Sequence, residues 1–419
     1  MLSKSQQEAI DLIEEGKNIF ITGPAGTGKS YLLNYLKNEY KSLHITASTG
    51  IAAVNVGGQT LHSWAGIGLG NLPIYEYMKY YMSAKGRYMK KKLQSAQMLA
   101  IDEISMITPE VFDLLNNILK ELRDNDKPFG GLQIILFGDF LQLPPVNKDY
   151  TRDTYFCFES EAWQEADIKA VVLNDIFRQQ DEKLITMLNN LRVGALTKTD
   201  IELLKYCYQR KDIDPLIEPT ILGTHNYQVE KINNERLRKL DTESKTYVAS
   251  FEGKKEYIEF LNKNCIARGE LTLKIDSQVM MLKNTHAKEG VINGSIGIVV
   301  GFNKHNVPIV KFSNGVMLNI APEIWEISRY DEANGKTTVE ASMEQIPLIL
   351  AWAITIHKSQ GMSLDKIQCA LKDAFTEGQI YVAISRVKSI DGLYIENFDI
   401  NKIRANKKVI EFYKKITTL

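Results

Sequence analysis

Residues 18–30 read NIFITGPAGTGKS, a short apolar run followed by a glycine-rich turn. The apolar run 18–22 is typical of a buried parallel strand, and the residues after the turn predict a helix to about Tyr40. The segment GPAGTGKS (23–30) fits the pattern GxxxxGK[ST] between a strand and a helix. In that context the backbone N–H groups of the turn and of the helix N-terminus bind phosphate oxygens. The stretch therefore predicts a phosphate-binding loop on a parallel sheet.

The side chains of this loop predict a Mg²⁺–nucleotide site. Lys29 supplies a point charge for the β- and γ-phosphates, and the Ser30 hydroxyl supplies a ligand for Mg²⁺. The predicted nucleotide-binding residues of the loop are Gly23, Pro24, Ala25, Gly26, Thr27, Gly28, Lys29 and Ser30.

Alternating apolar runs and helical patterns extend the prediction to two α/β lobes. In the first lobe, strands are predicted at 43–47, 96–101, 132–137 and 171–173, with a helix at 109–122 and another over the first 16 residues. In the second lobe, strands at 220–223 and 366–371 alternate with helices at 227–240 and 378–387.

Two stretches interrupt this alternation and predict insertions. Residues 64–95 are rich in Gly, Tyr, Met and Lys, whereas residues 245–345 carry strand patterns such as LTLKIDSQVMML and GSIGIVVGF. We therefore expect a small insertion in lobe one and a β-barrel insertion in lobe two. The predicted boundaries are 1–63 and 96–168 for lobe one, 64–95 for its insertion, 169–244 and 346–419 for lobe two, and 245–345 for the barrel.

Acidic and amide side chains follow two further predicted strands of lobe one. Asp102 and Glu103 end the run MLAIDE, and Gln142 lies in FGDFLQLPP after the strand at 132–137. We expect Asp102 to hold the Mg²⁺ shell, Glu103 to position or deprotonate the attacking water, and Gln142 to contact the γ-phosphate.

Two arginines are candidates for stabilising charge in the transition state of ATP hydrolysis. Arg178 lies in NDIFRQQD, at the start of lobe two, and Arg386 lies in YVAISRVKS near the C-terminus. An arginine finger contributes about 10³–10⁵ in rate. A surface ion pair is the ordinary role of any single arginine, so these residues alone do not decide the function.

Two loops predict a path for nucleic acid. Thr49 and Gly50 begin a predicted helix in TASTGIAA, where N–H and hydroxyl groups bind a backbone phosphate, and His62 and Trp64 are candidates for base stacking. A similar role is predicted in the second lobe for Thr355, His357, Lys358 and Ser359.

The segment KYYMSAKGRYMKKK (79–92) carries six basic residues, no acid, and three tyrosines. Basic and aromatic residues in alternation favour contact with a DNA strand or junction. A basic helix that is only solvated explains the same composition equally well, so both interpretations stay open.

Composition sets bounds on these hypotheses. The 419 residues carry 51 Lys+Arg and 51 Asp+Glu, so zero net charge gives no general argument for nucleic-acid binding. No apolar run is long enough to span a membrane, and no signal peptide is recognisable. The four cysteines lie far apart, with no CxxC pair, which argues against a disulfide scaffold or zinc site and favours a reducing cytosol.

The motifs together resemble the superfamily 1 helicases of the petite-integration-frequency (PIF) family. They run in the order GPAGTGKS, TASTGIAA with GGQTLHSW, IDEISM, FGDFLQLPPV, IFRQ, AITIHKSQGMSLD and YVAISRVKS, from residue 2 to about 396. The segment 111–131 is similar to that family's own signature. The resemblance makes Gln6 in LSKSQ an adenine-reading residue, adds Tyr31 and Gly361 to the nucleotide site, and adds Pro144 to the DNA path.

The resemblance implies two RecA-like lobes with ATP between them, a wedge at 64–95 and a Src-homology-3-like barrel at 245–345. It implies an ATP- and Mg²⁺-dependent helicase that translocates 5′-to-3′ on single-stranded DNA. The implied partners are 5′-tailed single strands, single-strand/duplex junctions, forks, G-quadruplexes and RNA–DNA hybrids, with no membrane. The chain is expected to be a monomer and a cytoplasmic enzyme of the bacterial or phage type, without a transit peptide.

Two other functions remain open from the sequence. One is a nucleotide-switched nucleic-acid-binding or remodelling ATPase that does not separate strands. The other is a P-loop ATPase that acts on protein, although such proteins do not require the second set of loops. A strand-displacement assay run beside an ATPase assay distinguishes these functions from a helicase.

Overall fold

The computed structural model describes residues 2–145, 155–210, 217–331, 336–397 and 399–417. The described chain forms two compact units. Unit 1 comprises Met1–Ile176, Glu326–Ala341 and Glu411–Leu419, and unit 2 comprises Phe177–Trp325 and Ser342–Ile410. Each unit contains one parallel sheet with flanking helices, so the predicted α/β class is confirmed.

The sheet of unit 1 carries the segments that sequence analysis marked as functional. Its strands are Ile19–Thr22 (β1), Leu43–Ala47 (β2), Gln59–Thr60 (β3), Met98–Asp102 (β4), Gln133–Phe137 (β5) and Lys169–Val172 (β6). They lie in the order β3-β2-β4-β5-β1-β6, and every pair is parallel. Because the carboxyl ends of parallel strands meet at one edge, the loops after β1, β2, β4 and β5 converge there.

Within the described ranges, eight α-helices accompany this sheet. They are Lys4–Glu14 (α1), Lys29–Glu39 (α2), Gly50–Asn55 (α3), Leu61–Ala65 (α4), Ile74–Met82 (α5), Arg87–Ser95 (α6), Pro109–Arg123 (α7) and Glu161–Glu165 (α8). Ser3 is the N-cap of helix α1, and its hydroxyl accepts the Gln6 N–H. The helix buries Ala9, Ile10 and Ile13 on one face against the sheet core. This core places β1, and therefore the loop after it, in a rigid setting.

Unit 2 and the remaining segments contain six helices and fourteen strands among the described residues. The helices are Glu182–Val193 (α9), Lys198–Gln209 (α10), Asn226–Lys239 (α11), Lys255–Asn264 (α12), Gln379–Ile384 (α13) and Lys407–Thr417 (α14). The strands are Thr220–Gly223 (β7), Ser244–Val248 (β8), Ser250–Gly253 (β9), Glu270–Lys274 (β10), Gln278–Met281 (β11), Ile296–Phe302 (β12), Pro308–Phe312 (β13), Met317–Asn319 (β14), Glu323–Asp331 (β15), Lys336–Gln345 (β16), Leu348–Leu350 (β17), Ala353–Thr355 (β18), Ile367–Ala370 (β19) and Leu393–Asn397 (β20).

The strands of unit 2 separate into a parallel sheet and an antiparallel region. The parallel sheet has the order β18-β7-β19-β20, as the alternating pattern predicts. The antiparallel region is dominated by the five-stranded sheet β14-β13-β12-β11-β17, whose apolar face closes a core that includes Val279, Val299 and Val310. Residues 332–335 of the predicted barrel insertion lie outside the described residues.

Local differences from the sequence prediction are small. The strand predicted at 171–173 lies at Lys169–Val172, and the stretch 245–345, which was predicted to form a β-barrel insertion, also contains helix α12. That helix buries Leu261 and exposes Lys255 and Glu259, an i,i+4 pair typical of a helix surface. No helix among the described residues has the length and apolar character needed to cross a bilayer.

Candidate nucleotide and nucleic-acid sites

The loop between β1 and α2 depends on glycine at both ends. Gly23 has φ +148°, and a Cβ there would lie 2.4 Å from the Leu173 carbonyl oxygen, so no other residue fits without moving β6. Gly28 has φ +85° and is the N-cap of α2. The backbone thus turns sharply enough to direct the first N–H groups of α2 into the loop.

Lys29 is held over this loop. Its Nζ donates to the carbonyl oxygens of Gly23 (2.7 Å) and Pro24 (3.0 Å). The Thr27 hydroxyl donates to the same Pro24 oxygen at 2.9 Å, which fixes the loop's shape. The ammonium thus lies at the loop itself, and its role toward phosphates stays a prediction from GPAGTGKS.

Asp102 and Glu103 stand at the carboxyl end of β4. Glu103 adopts φ +53°, and its N–H donates to Asp102 Oδ1 at 3.0 Å. Desolvation, and then the charge of Glu103, raises the pKa of Asp102 to about 7, with the Glu103 N–H and the charge of Lys29 opposing them. The site thus combines two acidic side chains with a lysine.

The oxygen ligands in this region fit Mg²⁺. Among the described residues no group of three or more His, Cys, Asp or Glu side chains converges on a metal position. Mg²⁺, however, is commonly bound by one or two protein oxygens together with substrate phosphates and water. Ser30 Oγ and the Asp102 carboxylate offer oxygens of this kind, and a divalent cation beside Asp102 would favour its ionised form against the burial and the Glu103 charge that raise its pKa.

Gln142 lies in the loop after β5, and its side chain is almost completely buried. Its Nε2 lies 3.4 Å from Asp139 Oδ2, and its N–H donates to the Asp139 carbonyl oxygen at 2.9 Å. Asp139 therefore determines how this loop is held. Val146, the last residue of FGDFLQLPPV, lies outside the described residues.

The two predicted arginines lie together in unit 2. Arg178 donates to the carbonyl oxygens of Ser385 (3.2 Å) and Gly361 (3.3 Å). Arg386 is 2% exposed, and it donates from Nε to the Val382 carbonyl oxygen and from Nη2 to Ser385 Oγ. Desolvation, and then the positive charge of Arg386, lowers the pKa of Arg178 to about 9. The two guanidinium groups thus lie close enough for each charge to act on the other.

Sequence reasoning missed one residue of this cluster. Gln179 is buried, and its Nε2 donates to the carbonyl oxygens of Ser385 (3.0 Å) and Val387 (3.2 Å), the two neighbours of Arg386. Its place in IFRQ, directly after Arg178, was a usable signal. A side chain that fixes both backbone neighbours of an arginine also fixes the direction of that arginine.

The predicted DNA residues of unit 1 differ in accessibility. Thr49 caps α3, with its hydroxyl accepting the Ala52 N–H, and Gly50 begins that helix. His62 is half-buried, and its burial lowers the pKa so that it is neutral at pH 7. Trp64 is completely buried, so its ring offers no surface for a base, contrary to the prediction that it stacks on DNA.

The predicted DNA residues of unit 2 form a compact turn after β18. Thr355 Oγ1 accepts the Lys358 N–H, and Ser359 Oγ donates to the Ile356 carbonyl oxygen, so both hydroxyls shape the turn. His357 and Lys358 are half-buried, and burial lowers the pKa of each. The side chains of His357 and Lys358 are therefore more accessible than the buried side chains of Thr355 and Ser359.

The residues added by the resemblance occupy varied positions. Gln6 is buried, and its Oε1 accepts the Ser3 N–H in a capping box at the start of α1. Tyr31 is 55% exposed in the first turn of α2. Pro144 is half-buried in the loop that carries Gln142, and Gly361 accepts from Arg178.

The basic stretch 79–92 forms the end of α5 and most of α6. Five of its six cations stay at the surface or half-buried, but Lys92 is buried, donates to the Trp64 carbonyl oxygen and lies 5.3 Å from the centre of the Trp64 ring. Lys92 thus has a structural role, whereas Tyr80 and Tyr88 are exposed beside the remaining cations.

The fold and the loop after β1 define a P-loop nucleotide hydrolase with two RecA-like parallel-sheet units. Profiles of known families narrow this class. The PIF1-like helicase profile matches residues 1–200, and that of the DNA helicase Pif1 2B domain matches residues 256–302. The chain belongs to the PIF1-like helicase family.

Individual relatives agree over the whole chain. The ATP-dependent DNA helicase PIF1 of Xenopus laevis is 39% identical over 418 residues, which are 98% of this chain and 64% of that protein. The crystal structure of Bacteroides sp Pif1 in complex with ADP-AlF4 is 33% identical with a TM-score of 0.88, covering 100% of this chain and 97% of that one. Bacteroides Pif1 bound to ssDNA is 34% identical with a TM-score of 0.67, covering 100% and 97%.

These likenesses confirm the predicted family, the two-lobe α/β fold and the barrel insertion. The chain spans less than two thirds of the length of the first curated relatives it matches.

Proposed function

We propose that the chain is an ATP-dependent DNA helicase that moves 5′-to-3′ on single-stranded DNA. The observation that carries the proposal is the P-loop site of unit 1, where Lys29 is held over the loop and Asp102 lies at the carboxyl end of β4, one strand removed from β1 in the sheet. Support also comes from relatives named as ATP-dependent DNA helicases, and from a Bacteroides relative described in complex with ssDNA.

In the proposed reaction each residue of unit 1 has a separate task. Loop N–H groups and Lys29 bind the phosphates, and Ser30 and Asp102 would hold Mg²⁺. That ion, when bound, supplies positive charge at the β- and γ-phosphate oxygens. Glu103 positions or deprotonates the attacking water, and Gln142 contacts the γ-phosphate.

The arginine pair of unit 2 supplies the positive charge of the transition state in this proposal. Arg178 and Arg386 act on the phosphates of the bound ATP, and Gly361 lies beside them. Gln6 is proposed to read the adenine, and Tyr31 to line the nucleotide.

The proposed DNA contacts lie in both units. In unit 1 they are Thr49 and Gly50 with His62, and Pro144 after β5. In unit 2 they are the half-buried His357 and Lys358, and the buried Thr355 and Ser359 are proposed to shape the turn that presents them. Because phosphate contacts release counterions, we expect affinity for single strands to fall as salt rises. Residues 64–95 are proposed as the element that meets the duplex, with exposed Tyr80 and Tyr88 beside surface lysines.

Unwinding of matched duplexes tests the function. Duplexes with a 5′ tail, a 3′ tail or no tail are mixed with the chain, ATP and Mg²⁺, and both strand displacement and ATP hydrolysis are measured. We expect single-stranded DNA to stimulate ATP hydrolysis. We expect strand displacement only from the duplex with the 5′ tail. Unwinding of 3′-tailed duplexes alone would reverse the polarity, and hydrolysis without displacement would favour a remodelling ATPase.

Further experiments test the substrate range and the oligomeric state. Forked, G-quadruplex and RNA–DNA hybrid substrates, each with the same 5′ tail, are compared with the plain duplex, since all three are proposed substrates. The chain is proposed to be a monomer in solution, and light scattering with and without DNA measures its mass.

A further inference from the structure

Helix α14 carries a tyrosine whose hydroxyl contacts two strand ends of the unit 1 sheet. Tyr413 Oη donates to Asp139 Oδ1 at 2.9 Å and lies 2.6 Å from Thr22 Oγ1. It also accepts the Phe140 N–H at 3.2 Å. A phenol has one proton and two lone pairs, so Thr22 is the donor in its pair and the hydroxyl is fully used.

The two side-chain partners of this hydroxyl adjoin the predicted nucleotide site. Thr22 ends β1 and directly precedes Gly23 of the P-loop, and Asp139 lies three residues before Gln142. Thr22 and Asp139 are completely buried, and Tyr413 is 8% exposed. Since the bonds are shielded from water, each one holds its partner more strongly than a surface bond would.

Asp139 accepts hydrogen bonds from Tyr413 and from the loop that carries Gln142. Its carboxylate accepts from Tyr413 Oη, from the Leu141 N–H at 3.1 Å and from Gln142 Nε2 at 3.4 Å. A buried carboxylate that loses a donor becomes costly, and the loop around it relaxes to find another. The orientation of Gln142 is thereby coupled to the tyrosine hydroxyl.

The neighbouring side chain fixes α14 in this place. The Phe412 ring is stacked on the Phe158 ring, with centroids 4.2 Å apart and planes 9° apart. It also contacts the rings of Phe20, Phe140 and Trp163. This aromatic cluster anchors the helix, so Tyr413 has little freedom to leave Asp139.

We propose that Tyr413 is a positioning residue for ATP hydrolysis. Its hydroxyl joins the end of β1 to the loop after β5, and this fixes Gln142 relative to the P-loop. The inference rests on the proposed ATPase function. No nucleotide motif includes this tyrosine, which lies 274 residues after Asp139 in the chain.

The test compares two tyrosines of unit 1 that each lose only a hydroxyl. In Tyr413→Phe we expect kcat for DNA-stimulated ATP hydrolysis to fall about tenfold, while KM for ATP and affinity for single-stranded DNA stay within about twofold. Tyr40→Phe loses the hydroxyl that donates to Glu14 at the far end of α2, and it is expected to keep the wild-type kcat.

A double variant separates positioning from a general loss of stability. If Tyr413 acts through Gln142, the variant Tyr413→Phe/Gln142→Ala hydrolyses ATP no more slowly than Gln142→Ala alone. Effects that multiply, or a wild-type kcat in Tyr413→Phe, overturn the inference. If the wild-type chain itself has no DNA-stimulated ATPase activity, the proposed function fails as well, so the two failures are distinguishable.

Discussion

The charged clusters of the two units are shifted toward their neutral forms from opposite sides. In unit 1, burial and then the charge of Glu103 raise the pKa of Asp102 to about 7. In unit 2, burial and then the charge of Arg386 lower the pKa of Arg178 to about 9. Each unit therefore holds two like charges at a desolvated position, carboxylates in unit 1 and guanidinium groups in unit 2.

The largest expected effect comes from the arginine cluster. Arg386→Ala should lower kcat for ATP hydrolysis by about 10³–10⁵, since it removes charge that acts in the transition state. Nucleotide binding, measured with a fluorescent ADP, should change little. Arg386→Lys keeps the charge but loses the planar group that donates to Val382 and Ser385, so it should recover only part of the rate. A kcat within tenfold of wild type in Arg386→Ala would remove this residue from the reaction.

The next effect is expected on the P-loop side of the comparison. Lys29→Ala should reduce ATP turnover by about 10²–10³, close to background, because a preorganised cation at the phosphates is lost. Unlike Arg386→Ala, it should also weaken nucleotide binding. Affinity for single-stranded DNA, measured by anisotropy without nucleotide, should stay near wild type. Equal loss of DNA binding would indicate that Lys29 supports the fold instead of the phosphates.

A smaller effect tests how the arginine is held. Gln179→Ala removes two hydrogen bonds to the backbone on either side of Arg386, and we expect kcat to fall about tenfold with little change in KM. Gln180→Ala is the matched control, because that neighbour is exposed. If both variants behave like wild type, the guanidinium of Arg386 is oriented by its own bonds alone.

Sequence could predict what is local, and it missed what is distant along the chain. The segment GPAGTGKS determines its own backbone conformation through its glycines. The loop, helix α2 and the position of Lys29 at the start of that helix could therefore be predicted from the sequence. Trp64 was predicted to stack on a base because the sequence around an aromatic residue near a loop does not show whether its ring is buried or exposed. In the structure the ring is buried and packs against Lys92, and this packing distinguishes the two cases. The Tyr413–Asp139 contact joins residues 274 apart, and no spacing rule connects them.

The smallest expected effect is a change in stability with pH that isolates the acidic cluster. Asp102 has an ordinary pKa of 3.8 when unfolded and about 7 when folded, so between these values the folded state binds more protons. The free energy of unfolding must then fall as pH rises from about 4 to 7. The variant Asp102→Asn cannot titrate, yet its amide oxygen can still accept the Glu103 N–H.

In thermal denaturation from pH 4 to 8, the Asp102→Asn variant should therefore have a higher Tm than wild type only near pH 7 to 8. The Tm of Asp102→Asn minus that of wild type should grow by roughly 5 °C across this range. Excess Mg²⁺ at pH 8 should raise the Tm of wild type more than that of the variant, because the variant loses one of the two carboxylates of the cluster. Parallel Tm curves with and without the substitution would mean that Asp102 does not titrate with a raised pKa, and the contrast with the arginine pair would disappear.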